Sequence, residues 1–183
     1  LSSDRPTQSA SAFLLPKGFL QIETGFSVAS RKVGFNGFQE RKIQNIAFNS
    51  TQVRFGLSDR VELRFSQDLI KERLTEGGNV VAESDTELIP TTIGVRIHLF
   101  DKNERGGPQT ALLVNVGGPV FSDIASGTSL DFRFNMEHSL GENASLGYNV
   151  GGGFSNDFDI FSGITTLVFG YSTSENVSVF AEL

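Results

Sequence analysis

The sequence predicts an all-β fold, an antiparallel up-and-down barrel, on three observations. Nine segments alternate apolar and polar residues at period two, the pattern of a strand with one greasy and one wet face. The connections between them alternate between tight polar turns and longer loops. No segment carries a helical repeat.

The strands follow one another along the chain. The first is "LQIETGFSV", with Leu20, Ile22, Phe26 and Val28 set against Gln21, Glu23, Gly25 and Ser27. Next, Thr51, Val53, Phe55 and Leu57 oppose Gln52 and Arg54, and after the turn "LSDR" Val61, Leu63 and Phe65 oppose Glu62, Arg64 and Ser66. Ile93, Val95, Ile97 and Leu99 then alternate with Arg96 and His98. The plainest case is "LDFRFNME", in which Leu130, Phe132, Phe134 and Met136 face away from Asp131, Arg133, Asn135 and Glu137. Further strands are expected around 110–116, 144–154, 161–171 and 177–183. The stretches "RKVGFNGFQERK", "KERLTEGGNVVAESDTE" and "GGPVFSDIASG" are expected as long loops at one end and "LSDR", "LGEN" and "STSEN" as tight turns at the other, with "DKNERGGP" intermediate and "NDFD" a short exception.

Composition bounds the rest. The 183 residues suffice for one domain, and the absence of cysteine removes disulfides and thiolate metal sites. A net charge of -6 with no basic run argues against nucleic-acid binding. No apolar run approaches the roughly 20 residues of a membrane helix. Membrane strands remain open.

Alternation is common to sandwiches and barrels, so strand length decides between them. Several segments sustain the roughly 9 to 11 residues that cross a bilayer at a tilt, against about 5 to 6 for soluble strands. Full charges stand mid-strand on the polar face, while the Phe, Leu, Val and Ile face carries none. A wet lumen and a lipid-facing wall accommodate both. The fold class is therefore an antiparallel up-and-down transmembrane β-barrel (18–183) preceded by a leader (1–17) on the periplasmic side. Composition favours a loose tail for this leader over a segment docked inside the barrel. About nine strands are present; even-numbered closure predicts further C-terminal strands beyond "SVFAEL". In the 51–65 hairpin, like-charge repulsion disfavours Arg54 opposite Arg64, so the expected register sets Arg54 opposite Glu62.

At "DRPTQS" (Asp4 to Ser9), "PKGFLQIETGF" (Pro16 to Phe26) and "FGLSDRVELRF" (Phe55 to Phe65) the chain resembles a family of bacterial outer-membrane barrels described as transporter-like, of the MetA pathway of phenol degradation. The resemblance implies an outer-membrane location, a full barrel of about twelve strands, passage of small solutes, aromatic ones among them, and no catalytic residues.

The candidate site is the set of lumen-lining polar residues Arg54, Glu62, Arg64, Arg96, His98, Asp131, Arg133 and Glu137. Two readings stay open: a constriction that selects solutes by charge, or a cross-strand ion-pair network that fills the barrel. No catalysis is expected, since no nucleophile elbow accompanies His98 or His138. "GYNVGGGFSND" lacks the ending of a phosphate loop and "ESDTE" the spacing of a calcium loop, so no cofactor or metal is expected. The expected function is passive passage of small solutes, with membrane lipid and other outer-membrane proteins as partners. The alternatives are a closed accessory barrel of a larger envelope complex and, third, a soluble β-sandwich or lipocalin-like binder.

Overall fold

The computed structural model describes residues 9–33, 41–101, 107–120, 127–155, 157–174 and 177–183. The expected leader before Ser9 and the centres of the connections at 31–42, 101–108 and 117–127 lie outside them, as do parts of the turns "NDFD" and "STSEN".

Eleven antiparallel strands form one sheet: β1 (Leu20–Val33), β2 (Arg41–Ser58), β3 (Val61–Glu76), β4 (Asn79–Glu83), β5 (Glu87–Leu88), β6 (Thr91–Phe100), β7 (Gln109–Gly118), β8 (Ser129–Ser139), β9 (Ala144–Ser155), β10 (Ile160–Ser174) and β11 (Val177–Glu182). Nine follow one another as neighbours in the order β1-β2-β3-β6-β7-β8-β9-β10-β11, curled into a half-barrel, while β4 and β5 pair with β3 alone. No helix occurs among the described residues. The nine expected strands lie on this path. Period-two alternation located them because a slip of one residue would exchange their two unlike faces.

Three expectations are corrected. First, the hairpin pairs Arg54 with Arg64 and Phe55 with Leu63, not Arg54 with Glu62. Glu62 stands opposite Gly56 on one side and opposite Arg96 on the other, so a third strand supplies the countercharge that a two-strand argument leaves out. Second, the stretch expected as one long loop after Phe65 continues β3 to Glu76 and folds back as β4. Gly77 and Gly78 take positive φ of 57° and 87° between the paired Glu76 and Asn79, the conformation that a two-residue hairpin turn demands and glycine supplies. Likewise β1 runs to Val33, paired with Arg41 of β2, so this side of the sheet projects well beyond β6 to β9. Third, the described part of the leader is not loose, as detailed below.

The glycine run of "GYNVGGGFSND" lies in β9. A Cβ at Gly151 would strike the Phe132 carbonyl oxygen and one at Gly152 the Phe161 ring, so close packing accounts for it.

The two faces of the sheet are unlike, and inverted relative to a soluble protein. On the convex side Ile22, Phe26, Ile93 and Phe100 are more than half exposed, with Phe134, Val150, Leu167 and Phe169 exposed beside them. On the concave side Arg54, Glu62, Arg96 and Asn135 are wholly buried. Buried apolar residues among those described are few: Ala12, Leu15, Ile46, Ala111 and Leu113.

The projecting arm carries its own electrostatics. Glu83 of β4 accepts from Arg73 at 2.7 Å and lies 3.2 Å from Lys71. Hydrogen bonds from Arg73 and then Lys71 hold its carboxyl below the usual carboxylate range. A folded value below the unfolded one stabilises the paired arm above the unfolded pKa, and that contribution is lost as pH falls through the lowered folded value. Amide exchange at Val80 to Glu83 should therefore be constant from neutral pH down to the ordinary carboxylate range. Corrected for intrinsic rates, it should accelerate below that range, and Glu83→Gln should abolish the acid-dependent step.

Candidate concave-face site

Glu62 organises the inner face. Its carboxylate accepts a two-pronged contact from Arg54, Nε to Oε1 at 2.9 Å and Nη2 to Oε2 at 2.9 Å, the planar fork geometry that favours arginine. Arg96 approaches Oε1 at 3.7 Å from the neighbouring strand and Arg64 at 3.9 Å. Arg54 also reaches Glu23 of β1 at 3.2 Å. The five residues come from β1, β2, β3 and β6, and alternation puts them all on one face. Three arginines and two glutamates thus gather there, and Glu62 contacts all three of the arginines.

The leader completes the cluster. Residues 9–19 cross the concave face as a chord and meet the strands in nearly unbroken order. The Ser9 N–H donates to Glu182 of β11 at 2.7 Å, and the Ser9 hydroxyl donates to Thr166 of β10 at 2.7 Å. Asn149 of β9 clasps Ala10 twice, accepting its N–H at 2.6 Å and donating to its carbonyl at 2.9 Å. Ser11 reaches Glu137 of β8 at 3.5 Å. Arg96 donates to the Phe13 carbonyl at 3.0 Å, and the Leu15 N–H donates to Glu62 at 2.8 Å.

A turn then reverses the chain into β1. Gly18 has φ of 80° and the Phe19 N–H donates to the Pro16 carbonyl at 3.1 Å, the type II arrangement in which glycine at the third position avoids strain. Gly56 lets this turn approach: its carbonyl accepts the Gly18 N–H at 2.7 Å, and any Cβ there would strike the Pro16 oxygen. Composition read the leader as a tail because it is polar. What holds it is its peptide groups, bound by wall side chains, which composition does not register.

The eight expected site residues all belong to the inward-facing parity, but they do not form one cluster. Arg54, Glu62, Arg64 and Arg96 come together. His98 instead pairs with Asp101 at 3.1 Å beside a cavity of about 190 Å³ lined by Phe13 to Pro16, Asp59 and Gln109. Asp131 accepts from Asn115 at 3.1 Å and lies 3.5 Å from Arg133 Nε, a separate group two strands away from the Glu62 cluster. Glu137 meets the leader. Sequence reasoning missed Glu23, Asn149, Thr166 and Glu182. Glu23 and Asn149 share the inward parity of their strands, a signal that was available; Glu182 lies in the short terminal strand, where it was not. No group of His, Asp or Glu able to hold a metal ion occurs among the described residues.

No known protein-family model matches the chain, and no curated protein is detectably similar to it. The class that the geometry defines is an all-β half-barrel with a charged, buried concave face.

Removing the shared carboxylate should be costly, because three buried guanidinium groups lose the carboxylate they have in common. Glu62→Gln should destabilise the fold by about 3 to 5 kcal/mol, the range for breaking a buried ion pair from one side. Glu137→Gln, at 3.5 Å from the Ser11 hydroxyl and only part-buried, should cost less. Denaturant midpoints of the two variants, measured side by side under the same conditions, check the ordering.

Proposed function

We propose that the chain forms the wall of a bacterial outer-membrane β-barrel that passes small solutes without energy input. One observation carries the reading: large apolar side chains stand exposed along the convex face while ionised ones are buried on the concave face. Outward positions on the ladder from Leu63 through Ile93, Val114 and Phe132 to Val150 and Leu167 carry no charge. Water penalises such a surface and hydrocarbon does not. Strand length adds support, since every strand of the main path except β11 has 10 residues or more, enough to cross a bilayer at a tilt. The family resemblance of the opening segments points the same way and suggests aromatic molecules among the solutes.

In lipid an unpaired strand edge is untenable, so the β1 and β11 edges require closing strands, to a barrel of about twelve. A β-sandwich would need a second layer over the convex face, and no described residue lies there.

A second reading draws on the leader and the Glu62 cluster. Together they occupy the inner face, as in a closed barrel that serves as an accessory subunit of a larger envelope complex.

Flotation and conductance test the two levels in turn. The purified protein should require detergent and should float with lipid vesicles through a sucrose gradient; a monodisperse detergent-free protein would sink the membrane reading. In planar bilayers passage predicts discrete conductance steps. A reconstituted but silent protein that co-purifies with stoichiometric partners selects the accessory reading.

A further inference from the structure

The concave face holds the leader in an unusual way. Four wall side chains, Glu182, Asn149, Arg96 and Glu62, contact its backbone, and between them they engage three N–H groups and two carbonyls over residues 9–15. The leader side chains in the first half of this stretch are small, Ser9, Ala10, Ser11 and Ala12, which is what close approach of a backbone to a wall requires. Ala12 and Leu15 are buried to 1% and 2% exposure, whereas Phe13 between them is 39% exposed. Glutamate, asparagine and arginine aimed at successive peptide groups reproduce the donors and acceptors of a neighbouring strand without being one.

An independent observation lies midway along the chord. Asn135 is wholly buried, and neither its Oδ1 nor its Nδ2 has a hydrogen-bond partner. It stands on one ladder row between Ala111 and Asn149, the residue that clasps Ala10 with the same two atoms. A buried amide with both ends open is costly unless something in reach can use it. The wall thus offers more backbone-directed capacity than the seated leader takes up.

We propose that the concave face is a binding track for an extended peptide segment with small side chains, read through its backbone, and that residues 9–16 are its exchangeable occupant in this chain. The track seals the inner face while occupied and exposes it when the segment leaves. The proposal does not depend on whether the barrel conducts, so a silent barrel leaves it standing.

Since the chain has no cysteine, a single introduced thiol reports on the seal. Ala111→Cys, at a wholly buried concave position, is treated with a charged, membrane-impermeant maleimide in the full-length protein in micelles. Ala10→Pro removes the N–H that Asn149 accepts, and Leu15→Pro the N–H that Glu62 accepts; Ala10→Ser and Leu15→Met keep them. Each proline should raise the labelling rate about tenfold, the factor that one lost buried hydrogen bond takes from the seated population, and each control should leave it near the parent rate.

A synthetic peptide of residues 9–16 added to the Ala10→Pro protein should slow labelling again, and the same peptide N-methylated at Ala10 should not. Equal rates for the prolines and their controls, in proteins of the same circular dichroism, would overturn the proposal. So would failure of the unmodified peptide to protect at millimolar concentration. Should the prolines prevent folding, Ala12→Cys and Phe19→Cys decide with the backbone intact: Phe19 is 54% exposed and should label far faster, and equal rates refute a seated segment.

Discussion

Much of this half-barrel's interior depends on one carboxylate shared among three arginines and a backbone N–H. Glu62 receives the Arg54 fork, stands opposite Arg96, lies near Arg64 and accepts the Leu15 N–H. Each contact constrains another. The β2–β3 register puts two arginines face to face with Glu62 diagonal to Arg54, and the β3–β6 register sets the same Glu62 opposite Arg96. The leader carbonyl at Phe13 takes a donor of Arg96 and the leader N–H at Leu15 occupies Glu62 Oε2. Arginine suits this arrangement because its donors are fixed in a plane and its charge does not titrate away on burial. Buried ion clusters contribute little net stability relative to apolar packing, but removing one member is costly. Such a cluster specifies geometry more than it strengthens it.

The distribution of apolar surface carries a second lesson. An ordinary domain of this size draws most of its stability from an apolar interior. Here the buried apolar residues among those described are a handful, two of them in the leader, while phenylalanine, isoleucine and valine side chains stand open on the outside. Within the chain, cohesion comes from the strand ladder and the polar cluster. The hydrophobic contribution has to be supplied by whatever covers the convex face, so the environment is part of the fold's energetics.

Strand positions were legible wherever the two faces differ. Leu130 to Glu137 could be assigned at sight because every second residue is apolar, and the same holds for Ile93 to Leu99. Legibility failed for three physical reasons. In β2 before Ser50 and β3 after Asp68, polar residues such as Gln44, Asn45, Glu72 and Arg73 fall among the apolar ones, and the alternation dissolves although the ladder continues. The Gly77–Gly78 pair is a hairpin signal, but the segments that flank it lack alternation, so pattern alone extends a loop across all of them. The register of Arg54 was misjudged because repulsion within one pair was weighed without the third strand that relieves it. For the site, parity identified the eight inward-facing polar residues, but it could not say which would gather. The leader's role lay beyond it altogether, since side chains that bind peptide groups leave no pattern in the segment they bind.

The leader also determines an order of events. Its contacts join residues 157 and 173 positions apart, at Thr166 and Glu182, while the ladder is built from neighbours along the chain. Closing so long a loop costs more entropy than zipping neighbouring strands, so these contacts form after the ladder they join. The contacts from Phe13 and Leu15 that cover Arg96 and Glu62 span only 83 and 47 positions and close sooner. Dehydration of the inner face therefore starts at the Glu62 cluster and travels towards β10 and β11.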